Sequence, residues 1–339
     1  MNMIYYLGRR LVLAIFVLLG VVTITFVLAH SLGNPIFAWL GKTALEHPQI
    51  VDAYEAKYHL NDPLWIQFYY YVVGLLQGNL GYSPSRGFIP VTTVIAQTLP
   101  NTIQIAFFAI LTSLGLGITL GVISARYHHR TADKGIRAFY LSGTSSPAYF
   151  IALAFLIIFT YAFHIFPSGG SVSQTLSNPK IITSIPMLDA LLNGDLTYFV
   201  SSLQHVILPA MALAFGAFGI VVRVLRASML DVMRMDYIRT ARAKGLDERT
   251  VFFKHGLRNA MISVVTLGTL MVTWMITGTI FVENIFNYPG IGQYVYTCLL
   301  AQDYPGILAV TLIFAIIIVA ANLAADLLYV VVDPQIRLG

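Results

Sequence analysis

The sequence holds one cysteine, Cys298, in 339 residues. No internal disulfide can form, and no cysteine-based metal site is implied. Charge is scarce too: 10% of residues are charged, against 57% hydrophobic, and mean hydropathy is +0.75. A soluble domain carries about a quarter charged residues, so this balance defines an integral membrane protein. No Asn is followed by x-Ser/Thr, so nothing marks glycosylation. A His-Glu-x-x-His zinc helix and a Gly-x-Ser-x-Gly elbow are both missing. Gly41-Lys42-Thr43 suggests a phosphate loop, but that motif needs Gly at 36, where Ile36 stands. The chain therefore has no recognisable means of hydrolysing ATP, and neither a cofactor nor a metal is expected on it.

What is present is basic charge in clusters. The net charge is +5 and the pI about 9.2. The Lys and Arg residues fall between apolar segments, which points to membrane topology and away from nucleic acid. Arg9 and Arg10 precede Leu11–Ala29, an apolar run of nineteen residues. A signal peptide has an apolar core of about 7–15 residues, so this is expected to be a retained first span with its N-terminus inside.

The span 31–100 is rich in Pro and acidic residues and is expected to form a folded external segment. Within it, Leu64–Leu76 is too short to cross a bilayer. It suits an interfacial helix with Trp65 and Tyr69-Tyr70-Tyr71 at headgroup level. A second span is expected at 103–125, where Gly117 and Gly121 allow close helix approach. A third is expected at 138–163, with a bend at Ser145-Ser146-Pro147. A second external segment follows at 164–203, then a fourth span at 205–222. The fifth span, 260–282, carries Thr266, Thr269, Thr273 and Thr277 on one broad face. They form either a polar stripe along the substrate path or a set of hydroxyls bonded back to helix carbonyls. Glu283 sits at the exit of that span as a solvated or structural carboxylate. The sixth span, 306–332, holds Asn322 and Asp326 one turn apart as a structural polar pair near the inner interface. Sixteen Lys and Arg fall on the expected inner side and four on the outer. This predicts an all-α membrane protein of six transmembrane helices with both termini cytoplasmic. The divisions are 1–30 (N-terminus and first span), 31–100 (external), 101–332 (transmembrane core) and 333–339 (cytoplasmic tail).

The most informative stretch is Arg223 to Asn259, between spans four and five, with nine of the twenty Lys and Arg. Asp236 is placed to cap a short helix running through Lys244. Gly245 can end that helix with φ > 0, and Asp247 can cap the next. Two helices joined by a Gly break make a rigid knob; the competing reading is a solvated basic loop that only fixes topology.

The run Asp236-Tyr-Ile-Arg-Thr-Ala-Arg-Ala-Lys-Gly245-Leu246, with His255-Gly-Leu-Arg-Asn-Ala260, resembles the cytoplasmic coupling loop of ABC importer permeases. The general importer pattern is Glu-Ala-Ala, three residues, Gly, nine residues, Ile, one residue, Leu-Pro. Aligned on Gly245, the chain has Arg239-Thr240-Ala241 for the triplet, His255 for Ile, and Leu257-Arg258 for Leu-Pro. Only Ala241, Gly245 and Leu257 match, and the departures are those of the dipeptide/oligopeptide branch. The stretches Tyr58–Trp65, Gly78–Ser83, Leu99-Pro100-Asn101-Thr102, Ile207-Leu208-Pro209-Ala210, Phe281–Gly292, Asp303-Tyr304-Pro305 and Asp333–Arg337 are similar to the B-type subunit of that branch.

The resemblance implies a permease subunit of an ATP-driven importer of di- or oligopeptides. It also implies a second homologous permease, two ABC ATPase subunits that hold the ATP and Mg, and an external substrate-binding protein, with membrane lipid around the spans. The coupling residues carried over are Asp236, Arg239, Thr240, Ala241, Gly245, Leu246 and Leu257. Relatives in the same branch move oligosaccharides or nickel chelates, which stand as alternative cargoes. An ion-driven transporter, or an intramembrane enzyme using Asp326 or Glu283, is the rival from another class.

Overall fold

The computed structural model describes residues 3–31 and 48–332. The side chains of Thr269 and of residues 326–332 are among those outside the description, as is the expected tail 333–339. Among the described residues the regular structure is helical apart from one two-stranded hairpin, with a long irregular stretch over 163–185. In order come α1 (Met3–Ser31), α2 (Pro48–Tyr58), α3 (Leu64–Leu76), β1 (Tyr82–Ser83), β2 (Ile89–Pro90), α4 (Val91–Arg126) and α5 (Thr131–Thr144). Next are α6 (Ala148–Phe155), running into π turns over Leu156–Ala162, then α7 (Pro186–Leu192), α8 (Leu196–Val232) and α9 (Asp236–Ala243). The single turn α10 (Glu248–Thr250) leads into π turns at Val251–Leu257. The chain continues as α11 (Arg258–Ile285), α12 (Ile291–Leu300) and α13 (Tyr304–Val332).

Among the described residues, four helical stretches are long and apolar enough to cross a membrane: Gly8–Leu28, α4, α8 and Tyr304–Ala325. The number rises to six if each of two bent pairs is one span. The first pair, Thr131–Thr144 with Ala148–Ala162, bends by 103°, and its break falls at Ser145-Ser146-Pro147 as the sequence suggests. Pro147 has φ −61 and ψ 143, an extended geometry that cannot continue the preceding helix. The second pair, Glu248–Gly268 with Leu270–Ile285, bends by 42°.

Two helices outrun their apolar windows. The second span, expected at 103–125, is part of a 36-residue helix starting at Val91, so 91–100, expected as external segment, is helical. At 1.5 Å per residue it is about 54 Å long, well beyond a hydrocarbon core of about 30 Å. The fourth span, expected at 205–222, runs over 37 residues. The Asp195 carboxylate caps it, accepting from Tyr198 N at 2.9 Å. Its other end reaches Val232, so Arg223 and Arg226 are helix residues and the loop expected from 223 starts at Met233. The cause is tertiary: Val221, Val222, Leu225, Met229 and Val232 make a buried stripe that carries the helix through the charged stretch.

The chain falls into two compact units, Met1–Thr102 with Pro289–Val319, and Ile103–Tyr288 with Ala320–Gly339. In the first, Phe26, Tyr304 and Leu308 form a core against which Phe68 and Tyr71 of α3 pack. The helix at 64–76 thus has one face inside, while Trp65 and Tyr69 stay exposed. Asp303 is fully buried. It accepts from the hydroxyls of Ser83 and Ser85, the latter at 2.7 Å, from Ser85 N at 3.2 Å, and from Gly306 N at 2.9 Å. Those bonds pin the hairpin to the α12–α13 turn. In the second unit α8 is the central element, packed by α5, α6, α7 and α11. A Cβ at Gly117 would lie 2.5 Å from Val221 Cβ, and one at Gly121 would lie 3.1 Å from Leu225 Cβ. The small residues of α4 serve close packing on α8.

Candidate coupling site and transport path

The connection between α8 and α11 is built from α9 outward. Its apolar residues are few and spaced to share a face: Ile238 and Ala241 are buried with Val251, and Met233 packs against them. The opposite face of α9 is charged and exposed. Met235 is the N-cap, so Asp236 occupies the first helical turn and makes no capping bond, contrary to the sequence expectation. Its carboxylate still sits favourably at the helix N-terminus, and it meets Arg239 at 3.4 Å. Gly245 has φ +78, the left-handed geometry expected of it, and its N–H donates to Arg242 O at 2.9 Å. Asp247 caps α10 as expected, accepting from Thr250 N at 3.0 Å. The Thr250 bonds hold its carboxyl below the usual carboxylate range.

Two contacts in this knob have no sequence signal. Arg242 makes a two-pronged pair with Glu248 across the Gly245 break, at 2.7 and 3.2 Å. That hydrogen bond raises the Arg242 pKa further. Tyr237 accepts from Asn259 Nδ2 at 2.6 Å, tying α9 to the start of α11. Of the coupling residues expected from sequence, Asp236, Arg239, Thr240, Gly245 and Leu246 are exposed together on and after α9. Ala241 faces inward, and Leu257 is half-buried in the π turn.

The Thr stripe divides. Thr277 is exposed and its hydroxyl donates to Thr273 O at 3.0 Å, the back-bonded arrangement. Thr273 Oγ1 lies inside with no hydrogen-bond partner among the described residues. Thr266 is half-buried, and the Thr269 side chain lies outside the described residues. Glu283 is fully buried, which removes the solvated alternative. Asn322 is exposed, and the Asp326 side chain of the expected polar pair lies outside the described residues. Among the described residues, no group of three His, Cys, Asp or Glu side chains could hold a metal ion.

Several apolar helices able to cross a bilayer, interrupted by a compact basic knob that is turned at Gly245 and packed on Ile238, define a multi-pass membrane protein. The chain belongs to the binding-protein-dependent transport system inner membrane component family, whose profile matches residues 117–338. It is 37% identical over 96% of its length to the "Probable D,D-dipeptide transport system permease protein DdpB" of Escherichia coli, covering 95% of that protein. It is 35% identical to the oligopeptide transport system permease protein AppB of Bacillus subtilis, with 98% and 99% of the two chains covered. It is 36% identical to the dipeptide transport system permease protein DppB of Alkalihalophilus pseudofirmus, with 99% and 100% covered. These matches extend over the first span and the 31–100 segment that precede the family region.

Proposed function

We propose that this chain is one permease subunit of an ATP-driven peptide importer. It has six spans, both termini in the cytoplasm, the 31–100 segment outside, and a transmembrane core from 101 to 332. The α9 knob docks on a cytoplasmic ATPase, presenting Asp236, Arg239, Thr240 and Leu246. Gly245 sets the bend, and Ala241 and Leu257 hold the knob together from within. A second homologous permease completes the path, two ATPases carry ATP and Mg, and an external binding protein delivers substrate. Di- and oligopeptides are the cargo, on the strength of what the relatives are named for.

The observation that carries the reading is the knob itself. A loop that only fixed topology has no need of a buried apolar seam (Ile238, Ala241, Val251), a left-handed Gly245 and a capped restart at Asp247. Such a rigid body can receive a push and pass it to α8 and α11, which flank it. Along the path, Thr273 is suited to substrate contact because its hydroxyl has no hydrogen-bond partner among the described residues. The test is to purify the tagged, detergent-solubilised protein and identify what comes with it. Recovery of a second multi-span chain and phosphate-loop ATPases is expected. A chain that transports in their absence overturns the proposal.

A further inference from the structure

One buried charge serves neither the knob surface nor the Thr stripe. Asp133, in the first turn of α5, is fully buried. Its Oδ1 accepts from Ser124 Oγ of α4 at 2.6 Å and from Arg226 Nε of α8 at 2.9 Å. Its Oδ2 accepts from His129 N at 3.1 Å and from a second Arg226 nitrogen at 2.9 Å. Arg137 Nε stands 3.7 Å from Oδ1. The same guanidinium nitrogen of Arg226 lies 2.8 Å from His128 Nδ1. A guanidinium only donates, so His128 must accept there as a neutral ring. Burial, then the charges of His129 and Arg226, lower the pKa of His128. One carboxylate thus gathers the end of α4, the 127–130 turn, the start of α5 and the lower part of α8.

Arg226 lies one and two turns before the apolar contacts that anchor the knob. Met229 and Met233 lie against Gly256 of the π turn, where an added Cβ would meet Met233 Sδ at 2.9 Å. Met233 also packs on Ile238, Ala241 and Val251. The line of contact therefore runs from α9 through Met233 and Met229 along α8 to Arg226, and across to Asp133. A side-on, two-pronged pair away from water resists both sliding and partial opening, because separation would leave both charges dry and unpaired. A seam of methyl groups would let the helices slip past each other.

We propose that the Asp133–Arg226 pair is the joint through which movement of the α9 knob is passed to α4 and α5. Arg226 and Asp133 are positioning residues: neither touches substrate or ATPase. This inference rests on the proposed docking of α9 to an ATPase.

The test uses the whole transporter, with permeases, ATPases and binding protein reconstituted in lipid. Spin labels are placed on exposed Ala132 and Lys244, and a third on the ATPase face. Separations are measured without nucleotide and with ATP trapped by vanadate. In the parent protein the 132–244 separation is expected to stay fixed between the two states while Lys244 follows the ATPase. In Arg226→Met the 132–244 separation is expected to become nucleotide-dependent. Arg226→Lys keeps the charge but lacks the fork, and covers the case in which Arg226→Met fails to assemble. It is expected to show the same loss with the amount of assembled complex unchanged, which a purely structural role would not produce. A separation that varies in the parent, or stays fixed in Arg226→Lys, overturns the joint. A Lys244 label that no ATPase label approaches ends the coupling assignment instead, so the two readings fail separately.

Discussion

Gly245 shows how much one residue can carry. Its φ of +78 is open to Gly at little cost, while a Cβ there would meet nothing within 4 Å. The constraint is therefore backbone conformation and not space. Gly245→Ala should cost on the order of 1–2 kcal/mol of local strain and leave the knob formed. Gly245→Pro is incompatible, because Pro fixes φ near −65°, removes the N–H that bonds to Arg242 O, and pushes Lys244 out of helical geometry. Uptake of a labelled peptide should be abolished in Gly245→Pro while the protein still inserts in the membrane. Normal uptake would count against the knob as the coupling element.

The two threonines of α11 make a paired prediction at the same scale. Thr277→Val removes a hydroxyl that bonds only its own helix, and uptake should be unchanged. Thr273→Val removes a hydroxyl with no hydrogen-bond partner among the described residues. If it serves passing substrate, the Km for uptake should rise several-fold with insertion unchanged. Equal behaviour of the two variants would remove Thr273 from the path.

Elements are decided by their ends as much as by their interiors. α8 begins where Asp195 caps it, nine residues before the apolar window opens at His205. Asp195→Ala should cost about 1 kcal/mol, readable as a lowered unfolding midpoint. The neighbouring α7 is held by a different carboxylate. Asp189 is buried, which raises its pKa, but Thr183 donates to Oδ1 from its N–H at 2.6 Å and its hydroxyl at 2.7 Å. The net effect is a lowered pKa. A carboxyl depressed in the folded state adds stability in full above its unfolded pKa of about 3.9, and that contribution is lost as pH falls through the folded value. The stability difference between the parent and Asp189→Asn should therefore be constant at neutral pH and shrink below about pH 4. A difference flat across that range would show that Asp189 is not ionised in the fold.

For the whole molecule, the sequence was most reliable where physics is local. Hydropathy marks α1, α4, α8 and α13 because a helix needs about 20 predominantly apolar residues to cross a bilayer. The short helix at 64–76 was legible to the residue, since Pro63 and Gln77 bound a run too short to span. The turn at Gly245 and the cap at Asp247 were legible because both rest on the chemistry of one residue and its near neighbours. The ends of α4 and α8 were not, since polar residues there are held helical by contacts with other elements. Asp236 went astray by a single position because Met235 takes the extended cap geometry.

What the sequence determined by itself is the membrane class, the strongest spans, the place of the basic knob and its internal punctuation. These follow from composition, periodicity and residues acting within a turn of themselves. Only the tertiary structure decided that Arg223 and Arg226 belong to a helix and that Ala241 faces inward. It alone placed Arg242 against Glu248, and Asp133, 93 residues before Arg226, in a buried two-pronged pair with it. The reason is physical: a charge shows in the sequence as a charge, whereas its burial and its partner depend on which distant helix the packing brings against it.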